Sequence, residues 1–164
     1  MKRILPLTAA AMLVLADQLS KLFFATNYQL GESHNLLGEL VKFTYIHNYG
    51  AAMGMLAGAP WVFNIITTAV VLVGIFLIAT GRIGDSLLNW AFTLVVAGGI
   101  GNMIDRLTNG YVVDFIDCSG LCFPWIFNVA DCCVVIGCCL IMLHYLLEMA
   151  RESRQKREGE YAKD

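Results

Sequence analysis

Four long apolar segments, separated by short polar stretches, constrain this chain more than anything else in it. They run approximately over Ile4–Phe24, Trp61–Thr80, Leu87–Ile104 and Val129–Leu147. Crossing the hydrocarbon core of a bilayer takes about 20 apolar residues per helix, and each segment meets that requirement. The remaining composition agrees: the chain is 58% hydrophobic and only 15% charged, where soluble domains sit near half apolar and about a quarter charged. So much apolar surface has to face lipid. The expectation is an all-α integral membrane protein, a single membrane domain over 1–164. It is a four-transmembrane-helix bundle with helices at about 4–24, 61–80, 87–104 and 129–147 and a cytoplasmic tail over 148–164. The first segment, opened by Lys2 and Arg3, has the flanks of a cleavable signal peptide, but it continues through Asp17 to Phe24 and is read as a retained helix. A net charge of −2 gives no basic surface for nucleic acid, so no nucleic-acid partner is expected.

Positive charges set the orientation. Lys2, Arg3, Arg82, Arg151, Arg154, Lys156, Arg157 and Lys163 all fall on one side of a four-span chain, against Lys42 and Arg106 in the opposite loops. The positive-inside rule then places both termini and the turn around Gly84 in the cytoplasm, with loops 25–60 and 105–128 outside. In these loops Val41, Phe43 and Tyr45 alternate with Lys42 and Thr44, and Tyr111–Val113 are strand-forming types. A small extracytoplasmic antiparallel β-sheet is expected, with a short interfacial helix over Gly31–Leu40. Beyond Leu147 the charges alternate, as in a frayed helix or solvated tail. Four of the six cysteines lie in the last apolar segment, where a thiol acts as a small hydrophobe. Cys118 and Cys122 share a loop and leave a local disulfide open. No histidine lies near them in sequence to suggest zinc, and no metal or other cofactor is expected.

Ionisable residues at membrane depth mark function by default, and here they gather at the outer helix ends. With the uncharged polar residues beside them they are Asp17, Gln18, Ser20 and Lys21 on the first helix, Asn102, Asp105 and Arg106 on the third, Asp114 in the following loop, and Asn128 and Asp131 opening the fourth. Asn102 and Arg106 share a helix face, as do Asn128 and Asp131. Gly98 and Gly101 allow a neighbouring helix to approach closely. Asp17 and Lys21 have the spacing of a salt bridge; the pair either neutralises itself or shapes a site. Asp105 beside Arg106 reads as an interfacial ion pair. Asp114 and Asp131 have no opposite charge within four positions. Two carboxylates brought together in a poorly hydrated site share one proton, an arrangement that hydrolyses amides with neither metal nor covalent intermediate. The alternative is a helix-capping Asp131 and an ordinary loop acid at Asp114. Ser20–Lys21 is a poor serine–lysine pair because neighbouring helical residues diverge, and His47 reads as a hydrogen-bonded loop residue.

Five stretches resemble, in order, the motifs of the lipoprotein signal peptidase (signal peptidase II) family: Asp17–Lys21, Asn48–Gly54, Gly98–Arg106, Val112–Phe115 and Phe127–Asp131. The resemblance implies an aspartic endopeptidase of the bacterial inner membrane, multi-pass, with its active site near the outer face. It would remove the signal peptide of diacylglyceryl-modified prolipoproteins by cleaving before the lipidated cysteine. Its partners would then be those substrates and membrane lipid. By the same resemblance Asp114 and Asp131 are catalytic, while Asn48, Asn102, Arg106, Asn128 and Asp17 bind substrate or support the site. Small residues at Gly50, Ala51, Ala52 and Gly54 would let a peptide backbone approach or a loop bend over it. Two rival readings use the same polar residues: a transporter binding an ion or polar solute, and an assembly helper whose polar groups only join helices.

Overall fold

The computed structural model describes residues 4–50 and 60–161. Helix α1 runs Ile4–Asn27, α2 Pro60–Thr80, α3 Ser86–Thr108 and α4 Val129–Tyr161. Among the described residues α1, α3 and the Val129–Lys156 part of α4 are long and apolar enough to cross a membrane; α2 is apolar over the shorter stretch Asn64–Thr80. The described residues are thus mostly helical, with three helices long and apolar enough to cross a membrane and a small sheet. The helix ends lie within a few residues of the apolar limits read from sequence, except that α4 continues. Its 33 residues correspond to about 50 Å at 1.5 Å per residue, well beyond a hydrocarbon core of roughly 30 Å. The charged stretch after Leu147 is therefore helix through Tyr161.

α3 is the central element and packs on α1, α2 and α4. Its small residues permit this. A Cβ at Gly98 would run into the Ala130 carbonyl oxygen, and one at Gly101 would come within 2.6 Å of an Asp17 carboxylate oxygen. On α4, a Cβ at Gly137 would lie 2.7 Å from the Ala91 carbonyl oxygen. The close approach expected at Gly98 and Gly101 is present. The outward faces carry exposed Met12, Leu19, Phe23, Ile65, Val73 and Ile136, an apolar surface that suits lipid rather than water. At the other end of α3, Asp85 caps the helix by accepting from Leu88 N–H at 2.9 Å. His144 of α4 lies 3.5 Å from Asp85 and 3.5 Å from Glu148.

Four antiparallel strands in the order β1 (Ser33–Leu37), β2 (Val41–Asn48), β3 (Val112–Asp117) and β4 (Ile126–Phe127) make the sheet. The stretch expected to be an interfacial helix is strand β1 instead, and this corrects the sequence reading. Glycines supply the reason. Gly31 and Gly38 adopt φ of +86° and +59°, a left-handed conformation open to glycine, and the second turns Ser33–Leu37 back onto Val41–Thr44 as a hairpin. β3 is buried on both faces. Val113 and Phe115 point to Phe24 at the end of α1, where Phe24 and Phe115 stack with centroids 4.1 Å apart. Alternation turns Val112 and Asp114 to the opposite face. The aromatic seat of the sheet on α1 thus fixes where Asp114 points.

Candidate active site

Asp114 is reached from the sheet. Its register partner on β2 is Ile46, and Asn48 lies two residues along on the same face. Asn48 Nδ2 donates to Asp114 Oδ2 at 2.8 Å, while the Gly50 N–H holds Asn48 Oδ1 at 3.0 Å. The other carboxylate oxygen, Oδ1, accepts from Asn128 Nδ2 at 2.6 Å. Asp114 is 1% exposed. Burial pushes its carboxyl from 3.8 up to about 7, and the charge of Asp131 adds to the rise. The amide donors of Asn48 and Asn128 and the Lys21 ammonium pull the other way.

Asp131 arrives on the first turn of α4. Asn128 occupies the N-cap: its Oδ1 accepts the Asp131 N–H at 2.8 Å, and Asp131 Oδ2 accepts the Asn128 N–H at 3.2 Å. This reciprocal pair is a capping box, the outcome offered as the alternative to a catalytic role. Yet Asp131 does more than cap. Its other oxygen, Oδ1, accepts from Asn102 Nδ2 of α3 at 2.7 Å, and both aspartates line one cavity of about 660 Å³.

Behind the cavity lies a buried ionic cluster. Lys21, 3% exposed, reaches Asp17 at 2.9 Å and Asp105 at 3.1 Å and donates to Asn102 Oδ1 at 3.0 Å. Asp17 Oδ1 also accepts the Ala130 N–H at 2.8 Å, satisfying an orphan donor in the first turn of α4 where a negative charge is favoured. Gln18 ties the cluster together, donating to Asp17 at 3.2 Å, Gly101 O at 3.1 Å and Asp105 at 3.0 Å. Removing one partner from such a buried pair is expected to cost about 3–5 kcal/mol, because it strands a charge without water.

Most of the residues singled out from sequence come together here. Asn48, Asn102, Arg106, Asp114 and Asp131 line the cavity together with Gly98, Thr67 and Trp125. Asn128, fully buried, and Asp17 stand behind it. Asp105 corrects the sequence reading. It pairs with Lys21 and accepts the Val113 N–H at 3.0 Å, because consecutive helical positions point about 100° apart and Arg106 turns to the cavity. Arg106 makes no ion pair among the described residues, although the charges of Asp131 and Asp114 lie close enough to act on it. Sequence reasoning placed Gln18 and Asp105 among the polar residues at the outer helix ends but assigned neither to this cluster; the signal was their placement one and four residues from Asp17 and Gly101. His47 sits in β2, its Nε2 2.8 Å from the Tyr45 hydroxyl and its ring stacked 3.8 Å from Tyr111. Lys21 is committed to carboxylates and Ser20 to the Asp17 carbonyl, which excludes a serine–lysine pair. Cys118 and Cys122 are free thiols in the structure. Ala51, Ala52 and Gly54 lie outside the described residues.

Comparison with known proteins converges on one family. The family model described as Signal peptidase (SPase) II matches residues 9–147. The lipoprotein signal peptidase of Shouchella clausii is 44% identical over 149 residues, covering 90% of this chain and 97% of that protein. That of Moorella thermoacetica is 41% identical, with 92% and 99% covered, and that of Bacillus subtilis 36%, with 90% and 96% covered. Two solved bacterial membrane enzymes, both obtained by the in meso method, share the fold. One, at 2.3 Å resolution, superposes with a TM-score of 0.82 at 32% identity over 89% of this chain and 90% of its own. The other, at 1.9 Å resolution, gives 0.76 at 35% identity over 86% and 92%. With the match spanning most of its length, the chain belongs to the signal peptidase II family.

Proposed function

We propose that Asp114 and Asp131 are the catalytic pair of an aspartic endopeptidase that removes the signal peptide from diacylglyceryl-modified prolipoproteins, cutting before the lipidated cysteine. The observation that carries this reading is geometric: two carboxylates, Asp114 buried on a strand and Asp131 half-buried at a helix N-terminus, open onto a single cavity with both oxygens of each held by donors. With the Asp114 carboxyl raised to about 7, it keeps its proton over much of the range below neutrality, and the pair can there hold one protonated and one ionised carboxyl. The ionised carboxylate takes a proton from water as that water attacks the scissile carbonyl carbon. The protonated one donates to the carbonyl oxygen and stabilises the charge developing there. Collapse of the tetrahedral intermediate breaks the C–N bond, and a carboxyl proton passes to the departing amine. Asn48, Asn102 and Asn128 hold the carboxylates, Asp17 docks α4, and Arg106 offers a cation to a substrate carbonyl.

α2 acts as a fourth span. Both termini and the turn at Arg82 face the cytoplasm of a bacterial inner membrane, and the sheet and cavity lie at its outer face. Acyl chains on the substrate cysteine then stay in the bilayer, each buried methylene contributing about 0.8 kcal/mol, and hold the scissile bond beside the carboxylates. Cleavage of a lipidated model peptide by purified protein tests this. Asp114→Asn and Asp131→Asn are each expected to abolish turnover, and the double variant to be little worse, because groups acting as a unit are not additive. The unmodified peptide is expected to be cut poorly. Substantial turnover by either single variant refutes the pair, and equal kcat/KM on both peptides refutes the lipid requirement.

A further inference from the structure

We propose that Lys21, buried on α1 and outside the cavity, is a positioning residue that locks the Asn102 side-chain amide with its NH2 toward Asp131. The inference rests on the assignment of Asp131 to the catalytic pair and deepens it.

An amide can present oxygen or nitrogen to a neighbour, and only its surroundings decide which. Around Asn102 they leave no choice. Lys21 carries three protons and no lone pair, and its ammonium has acceptors at 2.9, 3.1 and 3.0 Å on Asp17, Asp105 and Asn102. Asn128 Nδ2 approaches the same Asn102 oxygen at 3.1 Å. Turning the amide over would set its NH2 against two donors and its oxygen against a carboxylate oxygen. The orientation that remains points Nδ2 at Asp131 Oδ1, 2.7 Å away.

Asn48 and Asn128 are held by the same logic, but differently anchored. Their oxygens accept the backbone N–H groups of Gly50 and Asp131, within the turns to which they belong. Among these three amides Asn102 alone is set by a side chain reaching from another helix. Lys21, together with Asn128 donating to the same oxygen, therefore decides at one remove whether Asp131 meets a donor or an acceptor. The competing account is that Lys21 merely neutralises Asp17 and Asp105. The two differ in what survives when charge is preserved but the direction of hydrogen bonding is not.

The test uses two variants in the full-length protein. Lys21→Arg still only donates and is expected to keep most of kcat. Lys21→Gln with Asp105→Asn removes one charge of each sign and leaves a residue that can donate or accept. For it, kcat per active site, counted by titration with a non-cleavable tetrahedral analogue of the lipidated peptide, is expected to fall about tenfold to a hundredfold, with KM unchanged. Adding Asn102→Ala should then cost little more. Wild-type turnover per site in the charge-balanced variant, a change confined to KM, or a full further loss on adding Asn102→Ala overturns the proposal. Side-chain amide NMR keeps it falsifiable if that variant does not fold. In the unaltered protein one Asn102 NH2 proton, assigned by its loss in Asn102→Ala, should be strongly deshielded and slow to exchange. Two ordinary, fast-exchanging protons overturn the lock whatever the variants do. If Asp114→Asn and Asp131→Asn are inactive while the Lys21 variants are fully active, only this inference falls. If the aspartate variants are active, the catalytic assignment falls with it.

Discussion

Replacing Asp114 by Asn should make the protein more stable at high pH, and the structure gives the size of the effect. In the folded chain the carboxyl is raised from 3.8 to about 7. Below pH 4 it is protonated in both folded and unfolded states. Between 4 and 7 the unfolded chain has released the proton and the folded one has kept it, so each rise in pH favours unfolding. At 1.36 kcal/mol for each pH unit, the stability lost by the time pH has passed through 7 is about 4 kcal/mol. Asn cannot ionise and escapes that loss. It brings a penalty of its own, since Asn48 and Asn128 donate to the two Asp114 oxygens and an amide offers one oxygen only. A donor left facing a donor costs about 1–3 kcal/mol. At pH 5 the two terms nearly cancel, because only part of the ionisation loss has accrued. At pH 8 the variant should be ahead by about 1–3 kcal/mol, the difference of those figures. Thermal unfolding in detergent at pH 5, 6.5 and 8 measures this: the Tm of the native protein should fall across the series by several degrees more than that of Asp114→Asn. Parallel pH dependences in the two proteins would refute the buried, proton-retaining carboxyl on which the mechanism depends.

Two further outcomes follow from the fold. Reporter fusions after Asp164 and at Gly84 should read cytoplasmic and one near Leu37 external; a cytoplasmic reading at Leu37 would take the sheet and cavity to the wrong face of the membrane. Gly98→Ala sets a methyl against the Ala130 carbonyl and within 2.7 Å of a Val134 methyl, so overpacking should lower stability by about 1–3 kcal/mol. It should also reduce kcat by shifting Asp131 away from Asn102, and a stable, fully active variant would show that α3 and α4 need no such closeness.

What could be read from the sequence was what is periodic or local. Apolar length gave the helices, alternation over Val41–Tyr45 gave β2, and spacing put Asn102 with Arg106 and Asn128 with Asp131. What could not be read depends on partners remote in sequence. Ser33–Leu37 carries no alternation because all five of its residues are exposed; its strand state comes from pairing with β2 across a glycine turn. Asp105 looked paired with the arginine beside it because adjacency in sequence was mistaken for adjacency in space. Its cation comes instead from α1. The Asp114–Asp131 pairing is of the same remote kind. Residue spacing left it undecided against a simple cap, and resemblance of five motifs in order supplied what spacing did not.

A capping Asp131 and the catalytic Asp131 proposed above do not exclude each other. The start of a helix leaves its first N–H groups without partners, and something must satisfy them before α4 can dock. Here Asn128 takes the Asp131 N–H and Asp17 takes the Ala130 N–H. The Asn128 N–H in turn binds Asp131. The groups that start α4 are therefore the groups that aim its carboxylate. Asn128 extends the link to the sheet, since its NH2 holds Asp114 at 2.6 Å, and Lys21 extends it to α1 through Asp17 and Asn102. Docking of α4, seating of β3 and placement of the two aspartates are thus linked through one chain of hydrogen bonds. A defect in any of these side chains should register in both stability and turnover. A defect confined to Arg106, which lines the cavity outside that chain of hydrogen bonds, should register in turnover alone.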